Sequence, residues 1–146
     1  MRVSDILDRK GSSVVTVHAD APVLDVAAQF RARNIGAAPV ADDNGEMVGL
    51  VSERDIVIAL ARMGSAALSA EVKTVMTTPV LTCAPDHGIR SVIKTMTERR
   101  VRHLPVIEAG RLVGIVSIGD VLKPRLDESE LEMNVLRDIA RVRMAH

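Results

Sequence analysis

The sequence predicts a mixed α/β (α+β) fold, in which two pseudo-symmetric copies of one β-α-β-β-α unit are followed by a C-terminal helix. The first observation behind this prediction is an internal repeat, because sliding the chain along itself aligns Thr16 with Thr82 and Pro39 with Pro105. The second is that each copy alternates between the apolar periods of strands and of helices. We expect a first repeat at 1–62, a linker at 63–71, a second repeat at 72–123 and a C-terminal amphipathic helix at 124–146.

Composition narrows the class of protein. Of the 146 residues, 47% are hydrophobic, which suits a packed domain, and 19 basic residues balance 19 acidic ones. Without net charge, no overall field draws the chain to nucleic acid or to a membrane surface. Phe30 is the only aromatic residue, so the stacking platform of single-strand binders is missing. The charged start MRVSDILDRK does not resemble a signal peptide, and we expect a cytoplasmic protein without nucleic-acid or membrane partners.

Cys83 is the only cysteine, which excludes an intrachain disulfide. We expect it to be a small buried hydrophobic residue in the strand-like run PVLTCAPD. Cys83 and His87 have the spacing of two metal ligands on a helix. Because Pro85 lies between them and no second ligand pair is present, we expect no metal site.

The first half of each repeat is predicted as a short strand followed by a helix. The strands are VVTV at 14–17 and PVLT at 79–82, and Asp20 and Asp86 are the expected helix N-caps. The apolar positions that predict the helices are Val23, Val26, Ala27 and Phe30 in the first repeat and Ile89, Val92, Ile93 and Met96 in the second.

The second half of each repeat is predicted as a hairpin that runs into a second helix. The strands AAPVAD at 37–42 and HLPVIE at 103–108 precede the turn signals Asn44-Gly45 and Ala109-Gly110. The strands MVGLVS and LVGIVS follow these turns, and each ends in the serine of a Ser-x-x-Asp motif. These motifs are Ser52–Asp55 in GLVSERD and Ser117–Asp120 in GIVSIGD.

The tail beyond Pro124 is predicted as one amphipathic helix. Its apolar stripe consists of Leu131, Val135, Ile139 and Val142. Acidic residues lie at its start and arginines at its end, as the helix dipole favours. The stripe is expected either to pack on its own domain or to form a dimer, and the sequence leaves both alternatives open.

The Ser-x-x-Asp motif has two interpretations. It resembles a capping box, in which the serine caps a helix and the acid reaches back. Glutamate or glutamine suits that reach better than aspartate, and the preceding glycine would let a ligand approach the backbone, so we also consider a binding site. An ionised aspartate only accepts hydrogen bonds and suits the two hydroxyls of a ribose, whereas serine, helix-end N–H groups and Arg54 suit phosphate. Together these groups describe a nucleotide site.

The chain resembles the tandem CBS (cystathionine-beta-synthase) domain pair, or Bateman module, and in particular small stand-alone bacterial CBS-pair proteins. The segments that carry the resemblance are VVTVHADAPVLDVAA, NIGAAPV and GEMVGLVSERDIV in the first repeat, and PVLTCAPD and RVRHLPVIEAGRLVGIVSIGDVL in the second. It implies repeats packed sheet to sheet, a homodimer of disc-like shape and a signal-transduction or energy-sensing role without catalysis. AMP, ADP, ATP, NAD or S-adenosylmethionine would be a regulatory ligand rather than a catalytic cofactor, and an effector protein that the sequence does not name would receive the signal.

The resemblance also implies two sites in the cleft between repeats, each with its Ser-x-x-Asp motif from one repeat and its adenine pocket from the other. The first site would comprise Ser52, Arg54, Asp55, Val80, Leu81, Val101, Arg102, His103 and Pro105. The second site would comprise Ser117, Asp120, Val14, Val15, Ile35, Gly36, Ala37 and Pro39. Asp55 and Asp120 would hold ribose.

The two implied sites differ in charge. Arg54, Arg102 and His103 belong to the first site, whereas the second has Gly119 in place of Arg54. We therefore expect a phosphorylated nucleotide to bind the first site firmly. The second site is expected to bind more weakly, or to take the less charged end of a dinucleotide such as NAD.

Other functions are also considered. The chain shows neither a nucleophile–base pair nor a phosphate-binding glycine loop, which argues against an enzyme. A structural dimerisation module without ligand stays open as the alternative.

Overall fold

A computed structural model describes residues 1–145 of the chain. Within this range the helices are α1 (Val3–Lys10), α2 (Val23–Arg33), α3 (Glu53–Met63), α4 (Ile89–Arg99) and α5 (Ile118–Met144). The strands are β1 (Val17–His18), β2 (Ala37–Ala41), β3 (Met47–Ser52), β4 (His103–Glu108) and β5 (Arg111–Ser117). Two short 3-10 helices, Gly64–Ser69 and Val72–Thr74, connect the repeats. The predicted mixed α/β class is confirmed.

Each repeat contributes one small sheet. In the first, β1 is parallel to β2 and β2 is antiparallel to β3. In the second, β4 and β5 form an antiparallel pair, and the strand predicted at 79–82 is wrong. Of this segment, only Cys83 pairs with β4. Its N–H donates to the Pro105 carbonyl at 3.0 Å, and its carbonyl accepts the Ile107 N–H at 2.8 Å. Pro85 lacks the N–H that would extend this ladder beyond Cys83, and Pro105 lacks the N–H that the Leu81 carbonyl would accept on the other side.

The hairpin turns follow the predicted turn signals. Ala109 and Gly110 both have positive φ, 50° and 75°, and join Glu108 to Arg111 in a two-residue turn. In the first repeat Gly45 has φ 77°, and the Asp42 carboxylate accepts the N–H groups of Asn44 and Glu46. Local chemistry therefore fixes both hairpins.

The predicted N-caps Asp20 and Asp86 are wrong. Pro22 caps α2 and Gly88 caps α4, two residues further on, and neither makes a side-chain capping bond. Instead, Val23 N–H donates to the Ala70 carbonyl and Ile89 N–H donates to the Met1 carbonyl, at 2.9 and 3.2 Å. Backbone carbonyls that are distant in sequence thus accept the helix-end N–H groups, in place of a capping side chain.

Each repeat is completed by a segment that lies outside its predicted strands and helices. The buried core of the first repeat contains Val72, and Met76 packs against it. The core of the second repeat contains Val3, Ile6 and Leu7 from α1. The N-terminal helix therefore packs on the second repeat, and residues that follow the linker pack on the first.

The C-terminal helix does not begin after Pro124. α5 starts at Ile118 and continues for 27 residues through this proline. The predicted stripe is exposed: Leu131 by 65%, Val135 and Ile139 by 49%, and Val142 by 60%. The stripe therefore does not pack on its own domain. No helix within residues 1–145 combines the length and apolar character that crossing a bilayer requires.

Candidate functional site

Both Ser-x-x-Asp motifs form capping boxes. The Ser52 hydroxyl accepts Asp55 N–H at 3.3 Å, and Asp55 Oδ2 accepts Ser52 N–H at 2.9 Å. Ser117 and Asp120 repeat this arrangement at 3.2 and 2.8 Å. Glutamate or glutamine is expected to suit the reach better, but aspartate completes the capping box in both motifs, and each motif holds the start of a helix in place.

The two aspartates differ in the additional donor that each accepts. Thr77 donates its hydroxyl to Asp55 Oδ1 at 2.9 Å. Lys10 donates its ammonium to Asp120 Oδ2 at 2.7 Å and also to the Ile115 carbonyl at 2.9 Å. Thr77 and Lys10 are not among the residues predicted from the sequence. The only signal for them is the weak match of VSDIL at 3–7 with VKTVM at 72–76, the segments that precede them.

Asp120 is held in its ionised form. Burial alone would raise the pKa of this carboxyl, but hydrogen bonds from Lys10 and from the Ser117 N–H keep the pKa below its ordinary value. An ionised carboxylate has no hydrogen to donate, so Asp120 can only accept hydrogen bonds. It is therefore suited to hydroxyl or cationic donors.

The glycines of the two motif strands make room for side chains of the same chain. A Cβ added at Gly49 would overlap the side chain of Met76, and one at Gly114 would lie 2.6 Å from Leu7 Cδ2. The expectation that these glycines admit a ligand to the backbone is wrong. Their role is to receive Leu7 and Met76. These residues belong to two exchanged segments: α1 lies in the predicted first repeat but packs on the second, whereas 72–76 lies in the predicted second repeat but packs on the first.

His103 lies where the two repeats meet. A Cβ added at Gly36 would lie 3.5 Å from His103 Cε1 and Nε2, and 3.6 Å from Glu53 Cδ. Burial lowers the pKa of His103 below its usual value, although the charges of Asp120 and Glu53 oppose this shift. Gly36 from the second predicted site and His103 from the first are therefore neighbours, next to the first motif.

The other predicted residues lie in β2 and β4, in α3, and in segments without regular secondary structure. Ala37 pairs with Ser52 and His103 with Ser117, so the serine of each motif lies beside the start of β2 or β4 in its own repeat. The half-buried members are Val14, Val15, Ile35, Val80 and Val101. The buried members are Ala37, Pro39 and Pro105, and the exposed ones are Arg54, Leu81 and Arg102. The assignment of each motif to the other repeat's adenine pocket stays a prediction.

A surface cleft of about 680 Å³ lies beside this region, between α2 and α3. Ile35, Gly36 and Glu53 line it, but Ser52 and Asp55 do not. The cleft therefore opens on the helical face and not over the motif carboxylate.

Cys83 is part of the second core, and the prediction that it is a buried hydrophobic residue is confirmed. Burial raises the pKa of its thiol to about 11. The His87 ring accepts the Ala84 N–H through Nδ1, at 3.2 Å. Cys83 thus packs in the core, and His87 accepts a local backbone hydrogen bond.

Comparison with known proteins identifies the family. The family model "CBS domain" matches residues 3–62 and 72–127. The chain is similar to the CBS-domain protein ATU1752 of Agrobacterium tumefaciens, with 44% identity, a TM-score of 0.83, and coverage of 85% of this chain and 92% of that one. A putative signal-transduction protein with CBS domains from Burkholderia ambifaria has 32% identity, a TM-score of 0.83 and coverage of 87% and 95%.

A third structure is informative about ligands. The CBS domain pair of protein MJ0100, in complex with 5′-methylthioadenosine and S-adenosyl-L-methionine, has 27% identity and a TM-score of 0.75. The match covers 89% of this chain and 98% of that one. The chain spans about half the length of two archaeal relatives, 48% of MJ1225 from Methanocaldococcus jannaschii and 57% of MK0525 from Methanopyrus kandleri. Two family-model matches that together cover most of the residues show that the chain belongs to the CBS-domain family, as a tandem CBS pair.

Proposed function

We propose that the chain is a non-catalytic regulatory module that binds an adenine nucleotide, AMP, ADP, ATP or NAD(H), in the cleft between its two repeats. The observation that carries the proposal is the Asp55 carboxylate, which already accepts a neutral hydroxyl from Thr77 at 2.9 Å. A ribose hydroxyl is a donor of the same kind. The relative MJ0100 supports this choice, because both of its ligands contain adenosine.

The phosphate of the nucleotide is assigned to the first site. Arg54 and Arg102 are exposed, and their guanidinium groups can bind phosphate oxygens in pairs. Gly119 occupies the place of Arg54 in the second motif and offers no charge. We expect Arg102→Ala to weaken binding of AMP more than binding of adenosine.

The proposed setting is the cytoplasm, where adenine nucleotides report energy state. The free, buried thiol of Cys83 is consistent with a reducing compartment. An effector protein would read the bound state, and binding can change the arrangement of the repeats only through a difference in affinity between two arrangements.

We also propose that the chain is a homodimer. Along α5, on the side opposite the predicted apolar stripe, Glu130, Met133 and Arg137 line one shallow groove together with Leu126. A second α5 that runs antiparallel, with the two-fold axis near Met133, sets each Glu130 opposite the other copy's Arg137. This charge complementarity favours a second copy of the chain as the occupant.

Thermal melts with a dye test the nucleotide proposal, since the chain has no tryptophan or tyrosine. AMP, ADP, ATP, NAD, NADH and S-adenosylmethionine are compared with GMP. A ligand at about 100 times its Kd adds roughly 2.7 kcal/mol, which raises Tm by about 5 to 10 °C for this size. Asp55→Asn, which keeps one acceptor oxygen for the cap, should abolish the increase. Unchanged melts with every ligand would favour a structural dimerisation module.

A further inference from the structure

We propose that Lys10 makes the two sites unequal, because its ammonium occupies the Asp120 carboxylate of the nucleotide-free chain. The wild-type chain then binds one nucleotide, at Asp55, and the second site opens only when Lys10 is displaced. This inference rests on the proposed function, and it identifies Lys10 as a residue that determines which site is used.

Without a ligand, the carboxylates of Asp55 and Asp120 are bound by different side-chain donors. Asp55 Oδ1 accepts the neutral Thr77 hydroxyl at 2.9 Å. Asp120 Oδ2 accepts the charged Lys10 ammonium at 2.7 Å, and the same ammonium also holds the Ile115 carbonyl. The side chains of Lys10 and Asp120 retain only 35% and 25% of their exposure, so solvent screens this pair incompletely.

When a ribose hydroxyl replaces the donor already bound to the carboxylate, the consequence differs between Asp55 and Asp120. At Asp55 one hydroxyl replaces another, and the hydrogen bond keeps its type. At Asp120 a neutral hydroxyl must replace an ammonium, so the carboxylate loses the attraction of an opposite charge at 2.7 Å together with the hydrogen bond. The second site is therefore the weaker one, independently of any phosphate contact.

Lys10 also cannot move away easily. It is the last residue of α1, and Leu7 one turn earlier packs into the space beside Gly114. Leu7 is buried in the core of the second repeat, which anchors the helix that carries Lys10. The competing ammonium thus stays close to Asp120 even when its ion pair breaks.

Calorimetric titration with AMP tests the proposal. We expect about one AMP per wild-type chain and loss of binding in Asp55→Asn. Lys10→Met keeps the length of the side chain but removes its charge, and should strengthen the second site by about tenfold or more, toward two AMP per chain. Lys10→Gln should act in the same direction.

Thr77→Val is the matched control, because it removes the neutral occupant of Asp55 with little change in shape. It should leave the number of bound AMP molecules at one. Two AMP per wild-type chain, one of them lost in Asp120→Asn, would overturn the role of Lys10 but not the proposed function. Weaker binding in Lys10→Met would also overturn it and would make Lys10 a phosphate ligand. No AMP binding by any variant would refute both proposals.

Discussion

At the scale of single residues, each motif aspartate combines two roles in one carboxylate. Asp55 Oδ2 accepts the Ser52 N–H and so holds the start of α3, while Oδ1 accepts a side-chain hydroxyl from Thr77. The cap fixes the orientation of the carboxylate before any ligand arrives. Capping and the proposed binding are therefore compatible, since the cap would orient the carboxylate for the ligand.

His103 should give the folded chain a pH dependence of its own. Burial is the main cause that lowers the pKa of His103 below 6.5. The negative charges of Asp120 and Glu53 oppose this shift, and the positive charges of Lys10 and Arg102 add to it. Below pH 6.5 the unfolded chain takes up a proton that the folded chain resists, so the free energy of unfolding falls as pH decreases toward the folded pKa. Urea unfolding of the wild type and His103→Gln from pH 7.5 to 5 measures this. Parallel curves for the two proteins would contradict the prediction.

Gly114 and Gly49 should be sensitive to a single added methyl group. Gly114→Ala overlaps Leu7, and we expect it to cost about 1–3 kcal/mol of unfolding free energy. Gly49→Ala should cost less, because the flexible Met76 side chain can move aside more readily.

Gly119→Ala is the matched control for these two substitutions. A Cβ at Gly119 would meet only the Ser117 hydroxyl, at 3.7 Å, and alanine favours the helix that Gly119 belongs to. Denaturant unfolding should therefore show no loss of stability. Equal losses at Gly119 and Gly114 would show that Leu7 is not the cause.

At the scale of elements, the sequence predicts those whose geometry is local. β2 to β5 follow the predicted strands closely, because their apolar period and their Asn-Gly and Ala-Gly turns are contained in neighbouring residues. The caps of α2 and α4 are wrong because their N–H groups bond to carbonyls of Ala70 and Met1, far along the chain. Lys10 and Thr77 reach their aspartates across distances of 110 and 22 residues, which no local pattern reports.

α5 should respond to reversal of charge. In the proposed dimer, Glu130→Arg would place arginine opposite the second copy's Arg137 and should raise the dimer dissociation constant by about tenfold, since two such contacts would occur per dimer. Glu130→Arg combined with Arg137→Glu restores opposite charges and should restore the dimer. Light scattering during size-exclusion chromatography measures both. A dimer that the single reversal leaves intact would show that this face of α5 does not form the interface.

At the scale of the whole molecule, the exchange of segments decides which fragments fold. The fragment 12–77 lacks α1 but keeps Val72 and Met76, which complete the first core, and Thr77, which donates to Asp55. The fragment 1–69 keeps α1, whose partners are in the second repeat, but lacks those three residues. We expect 12–77 to show the cooperative thermal unfolding that 1–69 lacks, as measured by circular dichroism. Greater stability of 1–69 would mean that α1 supports the first core.

The positions of Met76 over Gly49 and Leu7 over Gly114 also bear on the origin of the chain. A single repeat on its own would have an unfilled space beside its glycine. Its N-terminal segment would also lack the contacts that it makes with the other repeat in this chain. Two such molecules could satisfy each other by trading leading segments, as in domain swapping. The tandem chain has the contacts of that swapped pair, with the linker making permanent an association that would otherwise depend on concentration.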